Sequence, residues 1–334
     1  MDDLGDAIDQ VAASTRFSGV VRVDRGGRVA LARAYGLAHR GLSVANTVDT
    51  RFGIASGTKG LTALVVASLV EDGLLDLSTP ARSVLGDDLP LVDDGVTVEH
   101  LLAHRSGIGD YFDEALVESP TDYVMAVPVH LLATTSDYLA VLDGHPQQFP
   151  PGERFSYNNG AYVVLALVAE RVGGASFADL VRTRVCEPAG MRDTGFLRSD
   201  EPAGNVALGY LGADGLRTNV LHLPVVGSGD GGIHTTAADV SALWSAMYAG
   251  RIVPLDRLAE WVRPRSDVPS ESARYGLGFW LRPAGEAVVL VGSDAGVSFQ
   301  SVHDEPALVT YTVLSNTTDG AWPVVRRLRE LLDV

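Results

Sequence analysis

Apolar residues alternate along both ends of the chain and recur at helical spacing through its middle. Residues 17–38, FSGVVRVDRGGRVALARAYGLA, form two β-rich runs around Gly26-Gly27, which predicts a hairpin. A short helix precedes them at DDLGDAIDQVAAS (2–14). After Ser56 the spacing of Leu61, Leu64, Val65, Ser68 and Leu69 is helical, and Gly73 marks its stop. From about 76 to 234 helical patterns dominate, in TVEHLLAHRSG (97–107), NNGAYVVLALVAERVGG (158–174) and SFADLVRTRVCEPAG (176–190). Another helix is predicted over TTAADVSALWSAMYAG (235–250), with Thr235 or Thr236 as its N-cap. Strands return in YGLGFWLRP (275–283), AVVLVGSDAGVSFQSV (287–302) and ALVTYTVLSN (307–316), and WPVVRRLRELLDV (322–334) reads as a closing helix.

Strands at both ends with helices between them predict one mostly antiparallel sheet assembled from the two ends of the chain. The fold class is α+β, a two-lobed arrangement with helices flanking the central sheet and a helical lobe inserted in the middle. No repeat, low-complexity tract or Gly/Ser linker interrupts it. The expectation is a single catalytic domain over 1–334, with an α/β lobe of about 1–75 and 235–334 and a helical lobe of about 76–234. At 334 residues and 46% hydrophobic, the chain can bury a large core.

Charge narrows the partners. A formal net charge of −16 argues against nucleic acid and against an anionic membrane surface, because both need clustered cations. One cysteine, Cys186, excludes an internal disulfide and any cysteine metal cluster. Eight histidines show no H-x-x-x-H or H-E-x-x-H spacing, so no metal and no cofactor are expected. GSGDGG (227–232) is glycine-rich but lacks the frame of a dinucleotide site. MDDLGDAIDQ has no basic start or apolar core, and the apolar run LTALVVASLV (61–70) is half the length of a membrane span. A soluble, cytoplasmic protein acting on a small molecule is expected, unless a leader has been removed.

The chemistry starts at IASGTKG (54–60), which holds the only lysine of the chain. Ser56 and Lys59 form S-x-x-K at the start of a helix, and positions three apart share a face, so Oγ and Nζ can meet. A serine hydroxyl needs a base near neutral pH. A buried lysine can lose its proton and serve, whereas arginine stays charged. Alone, the same four residues fit an N-capping serine beside a solvated lysine. A second element, FPPGERFSYNNGAYVVLALVAE (149–170), places Tyr157-Asn158-Asn159 after a Pro/Gly turn and before a helix. Tyr157 can act as a general acid or base where an ammonium stabilises its phenolate. Asn159 can orient a substrate carbonyl or hold Lys59. Turn and cap roles account for either residue taken singly.

Together these elements resemble the serine β-lactamase and penicillin-binding-protein superfamily. The likeness is to the class C β-lactamases and the esterases and D-amino-acid peptidases of that fold. It extends over RFGIASGTKGLTALVVASLVEDGLLDLSTP (51–80), VTVEHLLAHRSGIGDY (96–111), EPAGMRDTGF (187–196) and GDGGIHTTAADVSAL (229–243). The resemblance implies a β-lactamase/transpeptidase-like fold and acyl-enzyme chemistry. Ser56 attacks an acyl carbonyl, Lys59 and Tyr157 handle its proton, Asn159 steadies the network, and the Ser56 N–H supplies one oxyanion donor.

The family's third element, Lys or His followed by a small residue and Gly, falls on VGSDAGVSFQS (291–301). Here it reads Ser293-Asp294-Ala295-Gly296, so the cation and the motif glycine are both replaced. By the family's geometry an N–H at Ala295 or Gly296 supplies the second oxyanion donor. Unless Arg274 or Arg282 substitutes for the cation, a carboxylate beside the scissile bond loses its partner. That disfavours β-lactams and D,D-peptides and favours a neutral ester, lactone or amide. Asp294 is equally well read as a turn residue.

The expected activity is therefore a serine hydrolase of carboxylesterase type. D-amino-acid peptidase, amidase, weak β-lactamase or acyltransferase are alternatives within the class, and a non-catalytic binding protein is the alternative outside it. No G-x-S-x-G elbow occurs, so a Ser-His-Asp reading through His104 or His234 fails. His104 reads as a satisfied turn or core histidine, Asp230 or His234 as possible substrate contacts, and Tyr111 as a cleft wall or packing aromatic.

Overall fold

The structure, a computed structural model, describes residues 2–112 and 119–333. Its strands are β1 (Gly19–Arg25), β2 (Arg28–Tyr35), β3 (Leu37–His39), β4 (Val44–Ala45), β5 (Phe52–Gly53), β6 (Gly195–Phe196) and β7 (Ile233–Thr235). They continue as β8 (Ser266–Val268), β9 (Ala273–Tyr275), β10 (Trp280–Leu281), β11 (Val288–Asp294), β12 (Val297–Asp304) and β13 (Val309–Ser315). The helices begin with α1 (Asp2–Thr15), α2 (Thr58–Glu71), α3 (Ala81–Leu85), α4 (Val98–Leu102), α5 (Leu139–Leu142) and α6 (Asn159–Gly173). Then come α7 (Phe177–Val181), α8 (Glu187–Ala189), α9 (Ala237–Tyr248), α10 (Leu255–Trp261) and α11 (Ala321–Leu332).

Eight strands form one antiparallel sheet in the order β2-β1-β13-β12-β11-β10-β9-β8. The two ends of the chain meet next to the β2 edge, where β1 pairs with β13 in the register Gly19 to Ser315. Side chains alternate between the faces, as the pleat requires. Val21, Val23, Tyr311 and Val313 face α1 and α11 in one core, while Val20, Leu290, Phe299 and Leu314 join α2, α6 and α9 in the other. That second core runs without a break from the sheet into the helical region, so the two lobes share their interior. The hairpin at Gly26-Gly27 forms as expected, both glycines holding positive φ (57° and 73°), the conformation a two-residue turn between twisted strands needs.

Elsewhere local physics refines the sequence reading. Ser56 does not open α2; it sits in a 3-10 turn, Ala55–Gly57, that feeds into it. The helix expected over 97–107 stops at Leu102, after a capping box between Thr97 and His100. Residues 177–189 form one helical run with a π-helical turn at Arg182–Cys186. Thr236, not Thr235, caps α9, accepting from the Asp239 N–H at 3.1 Å, while Thr235 ends β7. The 275–283 strand is broken between β9 and β10. A small sheet, β5-β7-β6, joins the segment before Ser56 to two pieces of the inserted region. No single helix among the described residues is long and apolar enough to cross a membrane.

Candidate active site

Helices α2 and α6 are buried on nearly every face, Thr58–Leu69 in one and Asn159–Ala169 in the other, so their first turns are fixed by the core around them. Those first turns carry Lys59 and Asn159. Lys59 is 2% exposed and its Nζ has three acceptors: Ser56 Oγ at 2.9 Å, Asn159 Oδ1 at 2.8 Å and the carbonyl oxygen of Asp230 at 2.9 Å. The sequence-predicted pair thus meets, and of the two roles open to Asn159 the structure shows it holding Lys59. The Asn159 amide is itself turned by its donation to the Phe112 carbonyl at 3.0 Å. The residue before Ser56, Ala55, has φ +44°, a left-handed value that a residue with a Cβ adopts at some cost.

Tyr157 precedes the N-cap of α6, and its ring centroid lies 5.0 Å from Lys59 Nζ. It stacks with Trp280 at 6.0 Å on one side and lies 4.3 Å from the His104 ring on another. His104 is fully buried; its Nδ1 accepts from the Asn158 N–H at 3.1 Å, which assigns the ring proton to Nε2. Burial, helped by the nearby Lys59 charge, pushes its pKa well below the usual histidine value, so the ring is neutral. His104 is therefore a packing group under Tyr157, half-satisfied: Nε2 has no hydrogen-bond partner.

A cleft of about 130 Å³ opens beside Ser56, enough for an acyl group of several heavy atoms. Tyr111, Phe112, Tyr123, Met125 and Tyr138 line it, together with residues of the irregular stretch 197–224. Asp230 and His234 both line it, and Tyr111 forms part of its wall while donating its hydroxyl to Asp230 Oδ2. Burial raises the Asp230 pKa, opposed by Lys59 and Tyr111, and lowers that of His234 to about 4.

Ser293, Asp294 and Gly296 also line the cleft, at the tight β11–β12 hairpin. The resemblance puts the second oxyanion donor on this turn, at Ala295 or Gly296. The Ala295 N–H donates to Asp294 Oδ1 at 2.7 Å and the Gly296 N–H to Thr318 Oγ1 at 2.9 Å, so both are engaged within the protein. Neither proposed arginine replaces the missing cation. Arg274 is spent on the carbonyls of Arg282 and Gly285, and Arg282 lies by Tyr311 and Arg329 on the α1/α11 side of the sheet. The cation that does line the cleft is Arg198, and Asp200 holds it through two hydrogen bonds of 3.0 and 2.8 Å.

Sequence reasoning missed Asp110, whose carboxylate accepts the N–H groups of Asn159 and Gly160 at the start of α6. It also missed the Asp230 carbonyl on Lys59, since a main-chain acceptor leaves no mark in a sequence. Among the described residues, no group of three or more His, Cys, Asp or Glu side chains could hold a metal ion.

The family model described as Beta-lactamase matches residues 4–334. The chain is 26% identical over 285 residues to a putative penicillin-binding protein, PbpX, of Bacillus subtilis, covering 84% of this chain and 66% of that protein. It is 36% identical over 203 residues to esterase EstB of Burkholderia gladioli, covering 59% of this chain and 52% of that protein. The chain therefore spans less than two thirds of either relative. A crystal structure of a penicillin-binding protein from Bacillus halodurans superposes with a TM-score of 0.91 at 33% identity, covering 97% of this chain and 99% of that one.

Proposed function

Because this chain belongs to the β-lactamase family, we propose that it is a serine acyl hydrolase acting on small neutral esters through an acyl-enzyme on Ser56. The observation that carries this reading is the buried Lys59 amine 2.9 Å from Ser56 Oγ. Asn159 and the Asp230 carbonyl take two N–H groups of Lys59, which leaves the third direction of the nitrogen aimed at the serine hydroxyl. As a neutral amine, Lys59 accepts the Ser56 proton along that direction. Oγ bonds to the acyl carbon, the ester C–O bond breaks, and the alcohol leaves with a proton returned from the Lys59–Tyr157 pair. Water then attacks the acyl-enzyme by the reverse proton path and frees the acid. In this reading the Ser56 N–H stabilises the oxyanion.

Ester preference is supported by what surrounds the cleft. Asp230 and Asp294 line it, and Asp200 competes for its Arg198, so a substrate carboxylate meets acidic neighbours there. The apolar and aromatic lining suits an acyl chain.

Incubation with an active-site serine phosphonate, followed by intact mass, tests the nucleophile. One adduct is expected in the wild type and none in Ser56→Ala; an adduct in both refutes the assignment. Short-chain nitrophenyl esters are expected to turn over faster than a chromogenic cephalosporin, and the reverse order refutes the substrate class.

A further inference from the structure

The groups that hold Lys59 form a closed circuit. Lys59 donates to Asn159 Oδ1 and to the Asp230 carbonyl, and the Asp230 carboxylate accepts from Tyr111. Next in the chain to Tyr111, Asp110 accepts the Asn159 N–H on Oδ2 at 2.6 Å and the Gly160 N–H on Oδ1 at 2.9 Å. Oδ1 also meets the Phe112 N–H at 3.3 Å, and the Phe112 carbonyl receives the Asn159 amide. One carboxylate therefore ties the 110–112 segment, the first turn of α6 and the side chain that positions Lys59.

We propose that Asp110 is a positioning residue of this site: its ionised carboxylate holds the Asn159 amide on Lys59, and protonation releases that hold and slows acylation of Ser56. The inference rests on Ser56 being the acylated nucleophile. The groups that face Asp110 are Asp230 from the loop before β7, whose charge opposes its ionisation, the phenols of Tyr111 and Tyr123, and Lys59 beyond Asp230. His145 packs against the neighbouring Gly109. Burial pushes the Asp110 carboxyl up to about 7 against the pull of the three N–H donors. The hold is thus released within the range where enzymes work.

Asp110→Asn keeps the shape and one acceptor oxygen but does not titrate. For wild type, kcat on a nitrophenyl ester is expected to fall as pH drops through about 7. In Asp110→Asn, kcat at pH 8 is expected to drop on the order of 10- to 100-fold, with KM within about twofold, and the fall near pH 7 to vanish. Wild-type kcat together with a wild-type pH profile in the variant overturns the proposal. The wild-type protein offers a second reading that needs no variant. Its Asn159 and Gly160 backbone amide resonances are expected to titrate with a midpoint near 7, and their constancy between pH 5.5 and 8.5 overturns the proposal. Failure of the hydrolase reading shows separately, as wild-type Ser56 left unlabelled by phosphonate, while the amide titration still reports on Asp110.

Discussion

Gly292 of β11 packs against the main chain of Ser56: a Cβ at Gly292 would stand 2.8 Å from the Ser56 nitrogen and 2.1 Å from the Ile54 oxygen. These are backbone atoms, so no side chain can rotate away. Gly292→Ala is expected to displace the Ala55–Gly57 turn, at a stability cost of about 1–3 kcal/mol. A shift of even 1 Å in the nucleophile lowers kcat on the order of 100-fold. Ester kinetics and a urea melt check both effects, and unchanged kinetics would show that β11 does not set the position of Ser56.

Lys59→Arg separates charge from proton transfer. Arginine keeps the cation but does not deprotonate in proteins, so the third direction toward Ser56 Oγ carries only a donor. Turnover is expected to fall on the order of 10²–10⁴-fold, with the fold retained by circular dichroism. Near-wild-type turnover would remove Lys59 from the role of base.

His104 makes a prediction about stability. Its folded pKa lies well below the usual 6.5, so the unfolded chain takes up the proton first. The contribution of the neutral ring is present above about pH 6.5 and is lost as pH falls below it. His104→Gln can still accept from the Asn158 N–H and does not titrate. The fall in urea midpoint between pH 7 and 5 is expected to be smaller in the variant than in the wild type. His104→Leu strands the Asn158 N–H in the core, at about 1–3 kcal/mol at any pH. Equal pH dependence in wild type and His104→Gln would count against this account.

Restoring a cation tests the substrate argument. Ser293→Lys puts an ammonium on the cleft wall, at the position the resemblance assigns to the family's cation. The rate on a chromogenic cephalosporin relative to a neutral ester is expected to rise about tenfold, the equivalent of about 1.4 kcal/mol of new charge pairing. No change in that ratio would show that the missing cation does not govern preference.

The long apolar helical stretches and the β-rich runs were legible because each has enough residues to declare its type: β1–β2, β11–β13, α2, α6 and α9 all stand close to where the pattern puts them. The Ser56–Lys59 contact was legible because three-residue spacing at a helix start dictates it, and the lone lysine drew attention to it. The β5-β7-β6 sheet was not, since strands of two or three residues show no period. Asp110 was hidden for a different reason. In GIGDYF it looks like any turn aspartate, and its partners lie 49 and 50 residues away in the chain. The Ala295 and Gly296 assignment was carried by the resemblance alone, and the structure engages those N–H groups with Asp294 and Thr318.

The pairing of β1 with β13 also governs when the molecule can come together. During synthesis the β1–β2 hairpin emerges well before β13, and the edge that β13 will cover stays open until residue 315 has left the ribosome. The turn bearing Ser56 and the helix behind it pack on β11 and β12, which are also made late. Such distant pairings are slow to form, and an open strand edge invites wrong partners meanwhile. Ser56 is made before the strands that hold it, so a nascent chain of this protein carries it without a site around it until β11 and β12 have formed.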